Sequence, residues 1–432
     1  MFTLPIYQLQ TLNMLPALRR IHIFAVLALS GLYLLTSSIA LADNDLAYQL
    51  KYRLELLPGT DQALVNITLD NNGKLIRSLS FQNLPGLYTE IQANGDLSVT
   101  ETDVRWVPPK AKATLSLKVK VTRERNPGEF GAMMTKEWAL FRGDDIFPAV
   151  KADFVDGAHA VATLDVILPP NWTSIETGWP RIKGNTFRID NPNRKFDRPT
   201  GWMIAGTLGT RRAKVSKTAI SVSAPKGSQM RRMDVLTFFK FVWPELNQAF
   251  EKTPRKLLIV GMGDPMWRGG LSASNSLFLH ADRPVVSENG TSPLLHELTH
   301  MITRIHGVKT AQTNDDWIAE GLAEFYSFEL LYRAGGMSKE RRKNIIKKLS
   351  KWGKNVKHLR SQQSTGAFTA RAVVLLDELD REIRRRSKNK ASIDNVTRDL
   401  MAKRTVSLDD LKQSVEALIG PDAETLRSPL LK

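Results

Sequence analysis

The 432-residue sequence predicts an α+β multidomain protein. An antiparallel, sandwich-like β domain spans residues 43–225, and a helix-rich domain spans 226–432. Three observations carry this reading. From Asp43 to about Pro225, apolar residues recur at every second position, the period of a strand with one buried face. After Ala219–Pro225 they recur at helical spacing. The chain is 42% hydrophobic and 24% charged, which supplies apolar material for sizeable cores and is unlike a disordered chain, and its length fits two or three domains.

Residues 1–42 precede this pattern and read as an export leader. Arg19 and Arg20 form a basic start with no acid nearby, an apolar run extends from Ile23 to Leu35, and small residues end in Ala40-Leu41-Ala42. That order is the signal-peptide pattern, and it places the chain in the periplasm or cell envelope. The alternative is an uncleaved anchor over residues 21–42, or an early core segment. Removing the leader lowers the formal charge from +17 to +15.

The strand half begins with Leu46, Tyr48, Leu50, Tyr52, Leu54 and Leu56 alternating with polar residues. Val65, Ile67 and Leu69 follow and stop at the turn signal Asp70-Asn71-Asn72-Gly73. Leu115 to Val121 alternate again, Ala160 to Leu168 end at Pro169-Pro170, and Phe187 and Ile189 end at Asn191-Pro192. Trp202 reads as core of this half. In the second half, Met230 to Phe250 has a helical apolar face and Lys256–Val260 is a short strand. Helices are expected over 292–306, 315–334, 338–359, 367–386, 392–403 and 407–418.

The absence of cysteine excludes disulfides, thiolate metal sites and a cysteine nucleophile. A metal must then sit on His, Asp or Glu. Among only seven histidines, His296-Glu297-Leu298-Thr299-His300 places two four residues apart, on one helical face. Ser292 is a natural cap, Pro293 a natural first residue and Gly307 a stop. Two imidazoles at this spacing can hold one zinc ion, and Glu297 can take a proton from an activated water. A hydrolytic zinc site needs a third protein ligand and an open position. Fourteen residues separate His300 from Asp315, which caps a second expected helix that carries Glu320 and Glu324 on one face. Glu320 is assigned as the third ligand, and Glu324 as the carboxylate that orients a ligand histidine.

HELTH followed by W-I-A-E-G-L-A-E-F-Y resembles the gluzincin metallopeptidases, and within them the glycyl aminopeptidase family. Arg268 to Ser276, and the helices over 367–415, resemble that family's edge strand and C-terminal helices. The resemblance implies a thermolysin-like catalytic domain, one Zn2+, and peptide hydrolysis with Glu297 as general base. It also implies that Gly269, Gly270, Leu271 and Ser272 align a peptide or protein substrate by strand addition. Three departures accompany it. Ser272 stands where the family has a glutamate for a free amino terminus, which weakens attraction to an ammonium group. Phe368 stands at the oxyanion-stabilising tyrosine, and no tyrosine follows Tyr332, so Arg371 and His358 are the candidate donors. Tyr326 is expected to pack within the ligand helix. The chain stops at Lys432, before room for the family's usual PDZ domain.

Lys339 to Arg360 is strongly basic, with Ile345, Ile346, Leu349, Trp352 and Val356 beside the charges. Arg384, Arg385 and Arg386 add to it. This is either the solvated face of a core helix or a surface for anionic lipid or an anionic envelope polymer. Nucleic acid is not expected as a partner of an exported chain. Asn66-Ile67-Thr68 and Asn289-Gly290-Thr291 match the glycosylation pattern by chance, and His280 is expected to be structural. Two rivals to the enzyme remain. One is a catalytically weakened zinc-binding scaffold or peptide-binding protein, motivated by Ser272 and Phe368. The other is an envelope module whose zinc is structural, which an open coordination position would argue against.

Overall fold

A computed structural model describes residues 46–84, 86–191 and 196–432. The expected leader lies outside these residues. Among them, no helix is long and apolar enough to cross a membrane.

The first half is built from three sheets around one core. A seven-stranded sheet runs, in spatial order, Arg181–Lys183, Thr186–Ile189, His159–Ile167, Ala47–Leu57, Gln62–Asp70, Lys112–Lys120 and Tyr88–Ala93. Strict alternation drives its pleat. Along Ala47–Leu57, Tyr48, Leu50, Tyr52, Leu54 and Leu56 are buried while Gln49, Lys51 and Arg53 face water. A four-stranded sheet (Lys151–Phe154, Ile76–Gln82, Asp103–Val107, Asp96–Val99) and a five-stranded sheet (Ser174–Thr177, Trp202–Gly206, Trp138–Arg142, Glu129–Met134, Arg123–Asn126) complete the shell. The expectation of purely antiparallel strands is corrected at the centre of the large sheet. Ala47–Leu57 pairs with His159–Ile167 in parallel, and the long intervening segment, which carries strands of all three sheets, forms the crossover.

The second half opens with a mixed sheet of Leu208–Val215, Thr218–Pro225, Lys256–Val260, Ser276–Leu279 and the edge strand Gly270–Ala273. The hairpin Leu208–Pro225, placed by the sequence within 43–225, belongs to this sheet: Ile220, Ser221 and Val222 pair in parallel with Leu257, Leu258 and Ile259. The alternation that marks the hairpin as strand cannot say which sheet receives it. Seven helices follow: α1 (Arg232–Phe250), α2 (Pro293–Thr303), α3 (Trp317–Arg333), α4 (Lys339–Trp352), α5 (Ala367–Arg386), α6 (Ile393–Lys403) and α7 (Leu408–Ile419). Their apolar faces share one core with the sheet through Ile220, Val222, Leu277, Leu279, Leu295, Trp317, Phe325 and Leu376.

Four local expectations are corrected. The basic helix ends at Trp352 rather than at 359, where Gly353 lets the Arg371 backbone of α5 approach too closely for a Cβ. Trp352 is exposed rather than apolar packing. The zinc-motif helix stops at Arg304, whose φ of 52° places it in the left-handed region and whose N–H bonds the His300 carbonyl. Gly307, expected as the stop, lies beyond that end. A Cβ there would overlap the Asp316 backbone nitrogen, so glycine is what allows the chain to double back.

Candidate metal centre

Ser292 starts α2 by accepting from Leu295 N at 3.3 Å while its hydroxyl donates to Val285 O at 2.6 Å. Pro293 supplies the first helical residue, where no N–H is needed. Leu294, Leu295, Leu298 and Met301 turn into the core, which leaves His296, Glu297 and His300 partly open on the other side. The chain then returns through 304–316 into α3. Asp315 does not cap α3. Its buried carboxylate instead accepts from Arg360 Nε at 2.7 Å, Arg360 Nη2 at 3.0 Å and Leu408 N at 3.1 Å, which ties the start of α3 to α7. Ser292 N also donates to Ser327 O at 3.1 Å, joining the two helices directly.

This packing brings His296, His300 and Glu320 together, with one ligand atom from each within 4.8 Å of the others. The two Nε2 atoms are 3.1 Å apart. Glu320 Oε2 is 3.6 Å from His296 Nε2, and Oε1 is 3.5 Å from His300 Nε2. Ligands bound tetrahedrally at zinc distances lie about 3.3 Å from one another. The two histidine nitrogens are near that spacing, and each faces a different oxygen of the Glu320 carboxylate, so the three side chains converge on one point where they can share a cation. His296 Nδ1 lies 2.9 Å from Glu324 Oε2. A carboxylate only accepts, so Nδ1 donates and Nε2 is the atom turned toward the cluster.

Burial alone would lower the His296 pKa. Hydrogen bonds to Glu320 and Glu324 more than offset it, and the value is pushed up to about 10. Burial would likewise raise Glu320, but the two imidazoles hold it well below the usual carboxylate range. The cluster is thus a set of opposed charges that a divalent cation can replace on the histidine side.

Glu297 points out of α2 toward the edge strand, where its Oε2 accepts from Ser272 N at 2.8 Å. Gly270 faces the same side chain: a Cβ there would meet Glu297 Cγ at 3.4 Å. Gly269 leaves no space for a Cβ beside the Trp267 ring, and Leu271 O accepts from Trp202 Nε1 at 3.0 Å. Gly270 and Ser272 therefore lie beside Glu297 on the half-buried strand Gly270–Ala273, which forms the edge of its sheet. Phe368 packs on the helical core, and His358 is exposed. Arg371 holds a buried Nε with no hydrogen-bond partner. Among the described residues, neither His358 nor Arg371 hydrogen-bonds to the cluster. Tyr326 is fully buried and donates to Asp394 Oδ1 at 2.8 Å, so its hydroxyl is committed elsewhere. His280 is buried beside Asp264, at 3.4 Å from Nε2.

Sequence reasoning missed the Ser272–Glu297 bond, the Asp315 anchor and an arginine-lined cavity beside the edge strand. The first two depend on backbone proximity between distant segments. The third had a readable signal, the Arg123, Arg125 and Arg142 group in a strand-rich region.

No family model and no curated sequence matches the chain. Solved structures do. An aminopeptidase N family protein from Idiomarina loihiensis is 16% identical, with a TM-score of 0.66 over 88% of this chain and 76% of that one. A two-domain M1 zinc metallopeptidase variant bound to L-tryptophan is 15% identical, with a TM-score of 0.56 over 89% and 94%. The same type of protein bound to L-arginine is 15% identical, with a TM-score of 0.53 over 89% and 93%. The chain shares the fold of these M1 metallopeptidases.

Proposed function

We propose that this M1-like chain is an exported zinc-dependent peptidase, directed to the periplasm or cell envelope by residues 1–42. The observation that carries the reading is the His296–His300–Glu320 cluster, with one ligand atom from each within 4.8 Å of the others and Glu297 bonded to the edge strand. His296, His300 and Glu320 would hold one zinc ion. When bound, zinc supplies Lewis-acid polarisation of the scissile carbonyl and acidifies a water. The protein supplies the rest. Glu324 fixes the His296 ring through Nδ1, as an outer carboxylate does for a ligand imidazole. Glu297 takes the proton of the attacking water and passes it to the leaving amine. The Ser272 N–H holds one Glu297 oxygen and leaves the other to carry that proton. A substrate laid along Gly270–Ala273 as an added strand brings its peptide bond to this carboxylate.

The test is cleavage of a broad peptide library by the wild type and by Glu297→Gln. The reading expects cleavage by the wild type and a loss of about 100- to 10,000-fold in the variant. Activity that survives the substitution overturns the role of Glu297.

A second reading has one specific observation behind it. The Tyr326 hydroxyl is spent on Asp394, and Phe368 offers none, so no tyrosine supplies an oxyanion donor at the expected place. On that reading the chain is a zinc-binding scaffold or peptide-binding protein with weakened catalysis. Stoichiometric zinc without cleavage of any library member would favour it.

A further inference from the structure

A cavity of about 180 Å3 lies beside the edge strand. Trp202, Trp267, Leu271 and Phe278 form its apolar wall, and Arg123, Arg125 and Arg142 bring three cations to it. Leu271 immediately precedes Ser272, whose N–H holds Glu297, so the cavity lies one residue along the strand from the contact to the proposed general base. A peptide aligned along the strand presents a side chain to this space.

The charges in the cavity do not cancel. Two carboxylates line it, and both are engaged. Asp145 is 3.6 Å from Arg123 and also receives Arg123 at its backbone carbonyl, while Glu124 Oε1 accepts from Gly128 N at 2.6 Å. Arg142 is 3.6 Å from Asp144. The Nε–H groups of both Arg123 and Arg142 are nevertheless buried without a hydrogen-bond partner. The Arg125 guanidinium lies 3.7 Å over the Trp267 ring and has no ion pair with any described carboxylate. Asp144 is also 3.8 Å from Arg198, so four arginines stand against Glu124, Asp144 and Asp145, a formal surplus of one cation beside an apolar wall that strengthens its field. An ammonium group entering here meets repulsion. A carboxylate finds the exposed Arg125 guanidinium, stacked on Trp267.

We infer that this cavity binds the side-chain carboxylate of a glutamate or aspartate in the peptide lying on the edge strand. That this peptide is a substrate rests on the peptidase reading, but the binding does not. The same surplus gives a reason for the neutral Ser272 nearby: a site built around arginines selects an acidic residue rather than a free amino terminus.

The full-length chain reports its own occupancy, because Trp202 and Trp267 line the cavity. Tryptophan fluorescence is titrated at fixed ionic strength with N-acetyl-glutamate amide, its neutral isostere N-acetyl-glutamine amide, and N-acetyl-lysine amide. The glutamate probe is expected to bind about tenfold or more tightly than the glutamine probe, the scale of a charge-assisted bond. In Arg125→Gln, at an exposed position whose loss leaves folding intact by circular dichroism, the ratio is expected to fall toward one. In Arg125→Glu the lysine probe should overtake the glutamate probe. Equal binding of all three probes, tighter binding of the lysine probe to the wild type, no binding of any probe at millimolar concentration, or an acidic preference that survives both variants each overturns the inference. Carboxylate-selective binding without peptide cleavage leaves this inference standing and sinks the peptidase reading. Cleavage with no acidic preference does the reverse.

Discussion

His296 can hold a proton or a zinc ion at Nε2, but not both. Glu320 and Glu324 push its pKa up to about 10, so near neutral pH zinc must displace a proton. Zinc binding at pH 7 is expected to release protons and to weaken as pH falls, which calorimetry in buffers of different ionisation heat measures directly. Zinc affinity that does not change with pH would contradict the geometry. The zinc-free chain should respond in the opposite sense. A folded-state pKa above the ordinary 6.5 gives stability that is complete below about pH 6.5 and lost as pH climbs toward 10. Its Tm is therefore expected to drop across that window, while the zinc-loaded chain shows no such loss. Glu324→Ala frees the His296 ring and should cost about 10- to 100-fold in zinc affinity. The pair of histidines and the two later glutamates were legible in the sequence because each pair is four residues apart, a local spacing. The Ser272 N–H on Glu297 was not, because it is a backbone donor 25 residues away and any residue but proline could supply it.

Between residue and fold stands the return from α2 to α3, which sets where Glu320 falls. Asp315 is 1% exposed and serves Arg360 and Leu408 N at once. Asp315→Ala leaves a partly exposed guanidinium and a buried amide without their acceptor, and is expected to destabilise the chain by about 1–3 kcal/mol. Because α3 begins beside it, zinc affinity should fall as well, although residue 315 touches no ligand. Denaturant melts paired with zinc titration check both, and a loss of stability with unchanged zinc affinity would separate this anchor from the site. Gly307→Ala should act through the same turn by forcing the Asp316 backbone away. The sequence placed a cap at Asp315 because an acid before an apolar periodic run is a capping signal. It could not show partners 45 and 93 residues downstream, which claim the carboxylate first. The end of the basic helix at Trp352 falls at Gly353, where the Arg371 backbone of α5 comes too close for a Cβ, a contact the sequence does not display.

At the scale of the whole molecule, the two halves share structure. Trp138, Leu140, Trp202 and Ile204 from the first half pack with Leu258, Val260, Met266 and Phe278 from the second. Trp202 N also donates to Ser276 Oγ at 2.7 Å. Trp202→Ala is expected to cost about 3–5 kcal/mol and to lower the melting of both halves together. Calorimetry showing one half melting early, with the other unchanged, would contradict that coupling. The alternation of apolar residues told which face of each strand is buried, but a period of two names no partner. The parallel pairing of Ala47–Leu57 with His159–Ile167 and the transfer of the Leu208–Pro225 hairpin to the second sheet therefore emerged only in three dimensions. The central claim, that the His296–His300–Glu320 cluster is a hydrolytic zinc site, is tested most directly by stripping the full chain with a chelator and titrating zinc back. Peptide hydrolysis and bound zinc are followed together. The account predicts negligible cleavage by the stripped chain and activity that rises in proportion to bound zinc until one ion per chain. Full activity without zinc, or stoichiometric zinc that never restores cleavage, would contradict it.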